Sequence, residues 1–215
     1  MEKAIIFDVD GTLLDTEKIY MRAWREAGAL FGYTVTHEVL MKTRAVQKAI
    51  AVKAFQDGCG EDFPYEDVRV ERMRIGEQLI YSATPQELLK EGVLEVLEQL
   101  KRQGIPMAVA SSTAYDQTVA HLEHAGLLHY FQVIVGGDMI KLGKPNPDIF
   151  LKAAQLLGAE PEACVVVEDS PAGIKAAYAA KMKPILIPDV VPANEETTAM
   201  SAAVLDNISQ LLGEI

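Results

Sequence analysis

The 215-residue chain is poor in cysteine, with only Cys59 and Cys164, and it has one tryptophan, Trp24. Two scattered thiols exclude a disulfide framework and a cysteine-based zinc site. No apolar stretch approaches the roughly 20 residues that a membrane-spanning helix needs, and acidic residues near the N-terminus are unlike a secretory signal. Basic charge is also scarce. Twenty Lys and Arg face 31 Asp and Glu, a formal charge of −11, with no basic run. That balance argues against a nucleic-acid phosphate backbone as partner. A small anionic substrate would need a local cation, from a side chain or a metal ion, to offset the field. The expectation is a soluble, cytoplasmic monomer with neither nucleic acid nor membrane as partner. The length suits one domain, or a core domain with an insertion, and allows a packed core without cross-links.

What is present is a rhythm. Ala4-Ile5-Ile6-Phe7, ended by Asp8 and Gly11, reads as a buried strand. Pro106–Ala110, Val133–Val135, Cys164–Val167 and Pro184–Ile187 have the same character. Between them, Leu94–Lys101, Asp116–Ala125, Asp148–Leu157 and Ala172–Ala180 read as helices. Strand alternating with helix predicts an α/β fold, a parallel sheet covered on both faces. Asp15 to Leu89 breaks the rhythm. It reads as helical throughout, with Ile19, Ala23, Trp24, Ala27 and Phe31 on one face. Such a stretch far exceeds the dozen or so residues of a parallel crossover. It is predicted as an inserted all-helical cap, residues 16–89, on a core of residues 1–15 and 90–215. Hinges are expected near Asp15–Thr16 and Thr84–Pro85, with the cap closing over a site and excluding water. Pro188–Thr198 is expected at the surface, Ala203–Leu205 as a last short strand and Ile208–Leu212 as a closing helix.

The chemistry follows the strands. Asp8 and Asp10 come after the first, within Asp8-Val9-Asp10-Gly11-Thr12, and Ser111 and Ser112 after the second. The third leads to Gly143-Lys144-Pro145-Asn146-Pro147, and the fourth to Glu168, Asp169 and Ser170. In an open parallel sheet these loops share one edge, where ligands bind. Clustered carboxylates raise one another's pKa unless a cation neutralises them. Oxygen ligands without cysteine or histidine favour a hard ion, Mg²⁺ above all. A metal and a lysine beside a carboxylate suit a phosphoryl group. Asp8 could then attack phosphorus, with Asp10 as proton donor and acceptor.

Each of these residues also has a plainer reading. Asp8 and Asp10 could be turn formers. A calcium loop fails, because its glycine would fall at Leu13 and its closing glutamate at Ile19. Lys144 could be a solvated loop lysine, although Pro145 and Pro147 frame it and Asn146 could cap the next helix. Ser112 and Ser170 read as helix caps. His121 and His124, three apart, read as a solvated helix face. Cys164 reads as a core residue, Cys59 as a loop thiol and Trp24 as packing. Arg44 and Arg72 are the cap residues placed to reach the far end of a phosphorylated substrate.

Together, Asp8-Val9-Asp10-Gly11-Thr12, Ser111, Gly143-Lys144-Pro145 and Glu168-Asp169 resemble the four motifs of the haloacid dehalogenase superfamily. Asp15-Thr16-Glu17, the helical insertion, Gly143 to Phe150 and Val167 to Ile174 are similar to its beta-phosphoglucomutase-like branch. The resemblance spans nearly the whole chain. It implies a Rossmann-like core, a helical cap and a Mg²⁺-dependent phosphatase or phosphomutase acting on a small phosphorylated metabolite such as a sugar phosphate. By position, Asp8 would be nucleophile and metal ligand, and Asp10 the acid/base, binding metal through its carbonyl. Ser111 and Lys144 would hold the phosphoryl group, Lys144 also steadying Asp8. Asp169 would ligate the metal, and Glu168 directly or through water. Mutases of this branch carry a serine-lysine-asparagine run after the second strand, which helps hold a second phosphate. The corresponding residues are Thr113, Ala114 and Tyr115, and Tyr20 stands where those mutases have a histidine. Hydrolysis is therefore expected over isomerisation. A catalytically silent phosphometabolite-binding protein, the reading from another class, would normally lack Asp8, Asp10 or Lys144.

Overall fold

A computed structural model describes residues 3–43 and 48–215. The chain forms two compact units, one from residues up to Asp15 together with Pro85–Ile215, the other Thr16–Thr84. Residues 85–89, expected in the helical insertion, belong instead to the first unit. Asp15 N donates to Leu88 O (2.7 Å), Lys90 N donates to Leu13 O (3.0 Å), and Leu14 bridges antiparallel to Leu89. These backbone bonds tie the outgoing and returning segments together.

In the first unit, β1 (Ala4–Phe7), β2 (Met107–Ala110), β3 (Val133–Val135), β4 (Cys164–Glu168), β5 (Lys183–Leu186) and β6 (Ala203–Val204) form one sheet. Every pairing is parallel, in the order β3-β2-β1-β4-β5-β6. This is the doubly wound Rossmann-like arrangement, with its direction switch beside β1. All residues of β1, β2 and β4 are buried. Both sheet faces are covered, so these strands read as continuous apolar runs rather than as alternating ones.

The second unit holds α1 (Thr16–Leu30), α2 (His37–Lys42), α3 (Lys48–Cys59) and α4 (Tyr65–Ser82). Its core gathers Ala23, Ala27, Val35, Val39, Leu40, Phe55, Phe63, Val68 and Ile75. Trp24 packs on Phe55 with ring centroids 4.5 Å apart, and Phe55 stacks on Phe63 at 4.9 Å. Phe31, expected on the buried face, is exposed because α1 ends at Leu30 and Gly32 turns the chain with φ +83°. Cys59 is the last residue of α3 rather than a loop thiol.

The remaining helices belong to the first unit: α5 (Pro85–Leu88), α6 (Val93–Arg102), α7 (Tyr115–His124), α8 (Asp148–Leu157), α9 (Pro171–Ala179) and α10 (Glu195–Met200). The helix expected at Ile208–Leu212 is present as a 3₁₀ helix, Ile208–Gly213. Ile149, Phe150, Ala153 and Ala154 of α8 share a core with Ile6, Ala108, Ala110, Cys164 and Val166 of the sheet. His121 corrects the expectation of a solvated face. It is buried with Thr118 and Leu122 on a helix that packs against β3 and against the 3₁₀ turns Leu128–Tyr130 and Gly137–Met139. Among the described residues, no helix is long and apolar enough to cross a membrane.

Candidate active site

Sheet register assembles the site. Phe7 of β1 pairs with Val109 of β2 and with Val167 of β4. The next row therefore holds Asp8, Ala110 and Glu168, with Ser111 and Asp169 one step beyond. Asp8 stays in the ladder, its N donating to Val167 O (3.0 Å), and Ser111 N donates to Val135 O (3.0 Å). Asp8, Ser111 and Glu168 are all buried. Strand ends that are far apart in sequence thus converge at the direction switch of the sheet, where such folds bind ligands.

Lys144 arrives from the loop before α8 and links these groups. Its Nζ donates to Asp8 Oδ1 (2.5 Å), Glu168 Oε1 (2.6 Å) and Ala110 O (3.2 Å). An ammonium has three donors, and each has an acceptor here. The side chain is buried, with Nζ also 5.0 Å from the Phe150 ring centre. Asn146 does not cap α8. Pro147 occupies the N-cap position, one residue later, and Asn146 Nδ2 turns back to donate to Gly143 O (3.1 Å).

Glu168 is held at its other oxygen as well. Oε2 accepts from Ser170 N and Ser170 Oγ, both at 2.8 Å. Ser170 caps α9 as expected, its Oγ accepting from Gly173 N (3.0 Å). A methyl group at Gly173 would overlap the Glu168 carboxyl group. The carboxylate therefore lies against the first turn of α9, where the helix dipole favours negative charge. Both Glu168 oxygens thus accept from protein donors, Oε1 from Lys144 and Oε2 from Ser170.

Asp10 and Asp169 meet around Gly11. Gly11 has φ +90°, its N donates to Leu14 O (2.8 Å), and a methyl group there would collide with Asp169 Oδ2. Asp169 thus leans over the turn that carries Asp10. Thr113 Oγ1 donates to Asp10 Oδ2 (3.0 Å), and Thr113 N donates to Ser111 Oγ (3.0 Å). Ser112 is exposed and does not cap α7, whose N-cap is Ala114 without a side-chain bond.

The electrostatics follow from crowding. Burial pushes the Asp8 carboxyl up to about 8, and Glu168 and Asp10 add to that rise against the pull of Lys144. Burial acts to lower Lys144, but the Asp8 and Glu168 carboxylates outweigh it and hold the ammonium above its usual range. One cation serves several carboxylates, so the site has room in its charge balance for another. Among the described residues, no three Asp, Glu, His or Cys side chains form a ready-made cage. A side chain at Gly11 would meet the Asp169 and Asp189 carboxylates, and oxygen donors of this kind suit a hard ion sharing its shell with water and phosphate.

Arg72 and Arg44 are the two candidates in the helical insertion. Arg72 packs its guanidinium 4.1 Å from the Tyr20 ring centre and 5.8 Å from that of Trp24, within the helical unit. Arg44 lies outside the described residues. Sequence reasoning did not anticipate the Lys90–Asp189 pair (2.6 Å), with Asp15 at 3.9 Å from the same lysine. Nor did it anticipate Thr113 as a partner of Asp10. No local pattern marks either contact.

A parallel sheet in this order, with carboxylates after β1 and β4 and a lysine between them, defines a Rossmann-like hydrolase core. Residues 2–181 match the haloacid dehalogenase-like hydrolases, and the chain belongs to that family. It is 34% identical over 185 residues to the "Phosphorylated carbohydrates phosphatase" of Thermotoga maritima, covering 85% of this chain and 83% of that one. It is 29% identical over 185 residues to the beta-phosphoglucomutase of Bacillus subtilis, covering 84% and 80%. The crystal structure of CbbY from Rhodobacter sphaeroides in complex with phosphate is similar at a TM-score of 0.80 and 30% identity, covering 98% and 96%.

Proposed function

We propose that this chain is a Mg²⁺-dependent phosphatase of small phosphorylated sugars, acting through an aspartyl-phosphate on Asp8 in a cytoplasmic monomer. The observation that carries this reading is the buried Lys144 bridging Asp8 and Glu168. A lysine sealed against a carboxylate at a sheet edge orients one oxygen of Asp8 and leaves the other for attack. Asp8, Asp169 and the Asp10 carbonyl are the residues that would hold Mg²⁺. When bound, the ion keeps Asp8 ionised and screens the phosphoryl charge.

The protein's own groups then divide the work. Asp8 attacks phosphorus while Asp10 gives its proton to the departing sugar oxygen. Asp10, now ionised, takes a proton from the water that opens the Asp8–phosphorus bond. Inorganic phosphate leaves and both aspartates return to their starting state. Ser111, buried one step beyond the row of Asp8 in the sheet, is the proposed hydroxyl contact for the phosphoryl group. Hydrolysis is favoured over isomerisation because Ala114 and Tyr115 supply neither a cation nor a side-chain amide for a second phosphate, and the Thr113 hydroxyl already donates to Asp10.

The test is a panel of phosphate monoesters assayed for phosphate release with Mg²⁺ and with a chelator. Glucose 1-phosphate is included with a trace of bisphosphate, and both phosphate and glucose 6-phosphate are followed. The expected result is Mg²⁺-dependent release from sugar phosphates. Isomerisation outrunning release would make the chain a mutase, and no turnover of any ester would leave it a binding protein.

A further inference from the structure

The acid/base carboxyl has a partner to which no catalytic role has been given. Thr113 lies three residues beyond the end of β2. Its hydroxyl donates to Asp10 Oδ2, and its backbone N donates to Ser111 Oγ, each at 3.0 Å. The residue is itself anchored, because its carbonyl accepts from Gly137 N (2.8 Å) and from Thr118 Oγ1 (3.4 Å). A rigid loop therefore presents a hydroxyl to one particular oxygen of the acid/base.

We propose that Thr113 is a positioning residue for Asp10. By occupying Oδ2, its hydroxyl makes Oδ1 the oxygen that carries and recovers the proton. This rests on the phosphatase reading above and adds a residue to it. An aspartate carboxyl turns about a broad, roughly two-fold torsion. Without a fixed partner it presents either oxygen to the ester, and proton transfer requires the right one within hydrogen-bond reach. In the first half-reaction, Asp10 Oδ1–H gives its proton to the sugar oxygen as that oxygen leaves phosphorus and the Asp8–phosphorus bond forms. In the second, the ionised Oδ1 takes a proton from water as the water oxygen bonds to phosphorus and the Asp8 bond breaks. Thr113 remains the donor to Oδ2 throughout. The backbone bond to Ser111 Oγ ties the same residue to the proposed phosphate contact, so acid and phosphate pocket share one anchor.

The experiment uses leaving groups of different need. Thr113→Val keeps the shape and removes the hydroxyl, and Thr113→Ser restores it. kcat/KM is measured with Mg²⁺ on the sugar phosphate turned over fastest in the panel and on p-nitrophenyl phosphate, whose leaving group scarcely needs a proton. Thr113→Val is expected to lose about tenfold or more on the sugar phosphate and less than about threefold on p-nitrophenyl phosphate. Thr113→Ser should stay within about threefold of the parent on both. The ratio between substrates is independent of how much variant is folded. Equal losses on the two esters, no loss on the sugar phosphate, or a serine variant as poor as valine would overturn the positioning role alone. A parent protein that releases phosphate from no ester would overturn the phosphatase reading and this role with it.

Discussion

Lys144 Nζ sits 2.5 Å from Asp8 Oδ1, although 136 residues separate the two in the chain. The pair is buried, and the same ammonium neutralises part of Glu168. Removing one member of a buried ionic group costs more than the group contributes when whole, because the remaining charge is left without a partner.

Lys144→Met should therefore do more than lower activity. It leaves Asp8 and Glu168 buried without their shared cation. Phosphate release should fall at least about 100-fold, in line with the loss of an electrostatic catalytic group. Stability at pH 7 should drop by up to about 3–5 kcal/mol. Urea unfolding in chelator at pH 7, parent against variant, measures the loss. An unchanged midpoint at pH 7 would mean that the ion pair is not formed in solution.

Gly173→Ala tests the seat of Glu168. The new methyl group would occupy the space of the carboxyl, so Glu168 must move and break its bonds to Lys144 and Ser170. Overpacking of this kind costs about 1–3 kcal/mol, and activity should fall with it. Gly213→Ala is the control, because nothing lies within 4 Å of its added carbon. Equal melting temperatures for the two variants would disprove the close approach.

Ser170 and Asp169 are neighbours with different expected roles. Ser170→Ala removes a helix cap and a donor to Glu168, and should cost about 1 kcal/mol of stability. Its Mg²⁺ affinity should stay close to that of the parent. Asp169→Ala should do the reverse, with affinity down roughly 10-fold or more and the fold intact. Calorimetric titration with Mg²⁺ separates the two, and a weaker affinity in the serine variant than in the aspartate variant would refute the assignment.

The pH dependence of the metal-free protein has a definite sign. Asp8 rises from 3.8 in the unfolded chain to about 8 in the folded one, mainly through burial. Between these values the folded state binds the extra proton, so stability falls as pH climbs through the window. Mg²⁺ displaces that proton, so its affinity should weaken as pH drops below about 8. Asp8→Asn should abolish turnover and remove its share of the stability slope. Unfolding in chelator at several pH values, parent against variant, measures the difference. An identical slope in both would rule out Asp8 as its source.

Much of the fold is written locally. Ala4 to Phe7 and Cys164 to Val167 are apolar over their whole length because both sheet faces are covered, and that continuity announces parallel strands without any partner in view. The carboxylates after these strands were equally legible, since Asp8 and Glu168 follow directly and strand direction alone sends them to one edge. Where local pattern was followed too literally it misled. Phe31 keeps the spacing of a buried face, yet the helix has already ended. His121 looks like half of a polar pair until α7 meets β3. Asn146 has the chemistry of a cap but stands one residue too early.

Sequence by itself determined the strand–helix alternation, the family and the residue types at the site, because those depend on short-range periodicity and on side chains adjacent to strand ends. Tertiary structure alone decided which oxygen meets which donor. Lys144 could have faced solvent, Glu168 could have lacked the Ser170 donors, and Thr113 could have faced anything. Their partners lie up to 136 residues away, and such distances are set by sheet register and helix packing. A hydrogen bond acts only over about 3 Å, so its formation is decided by those long-range placements and not by neighbours along the chain.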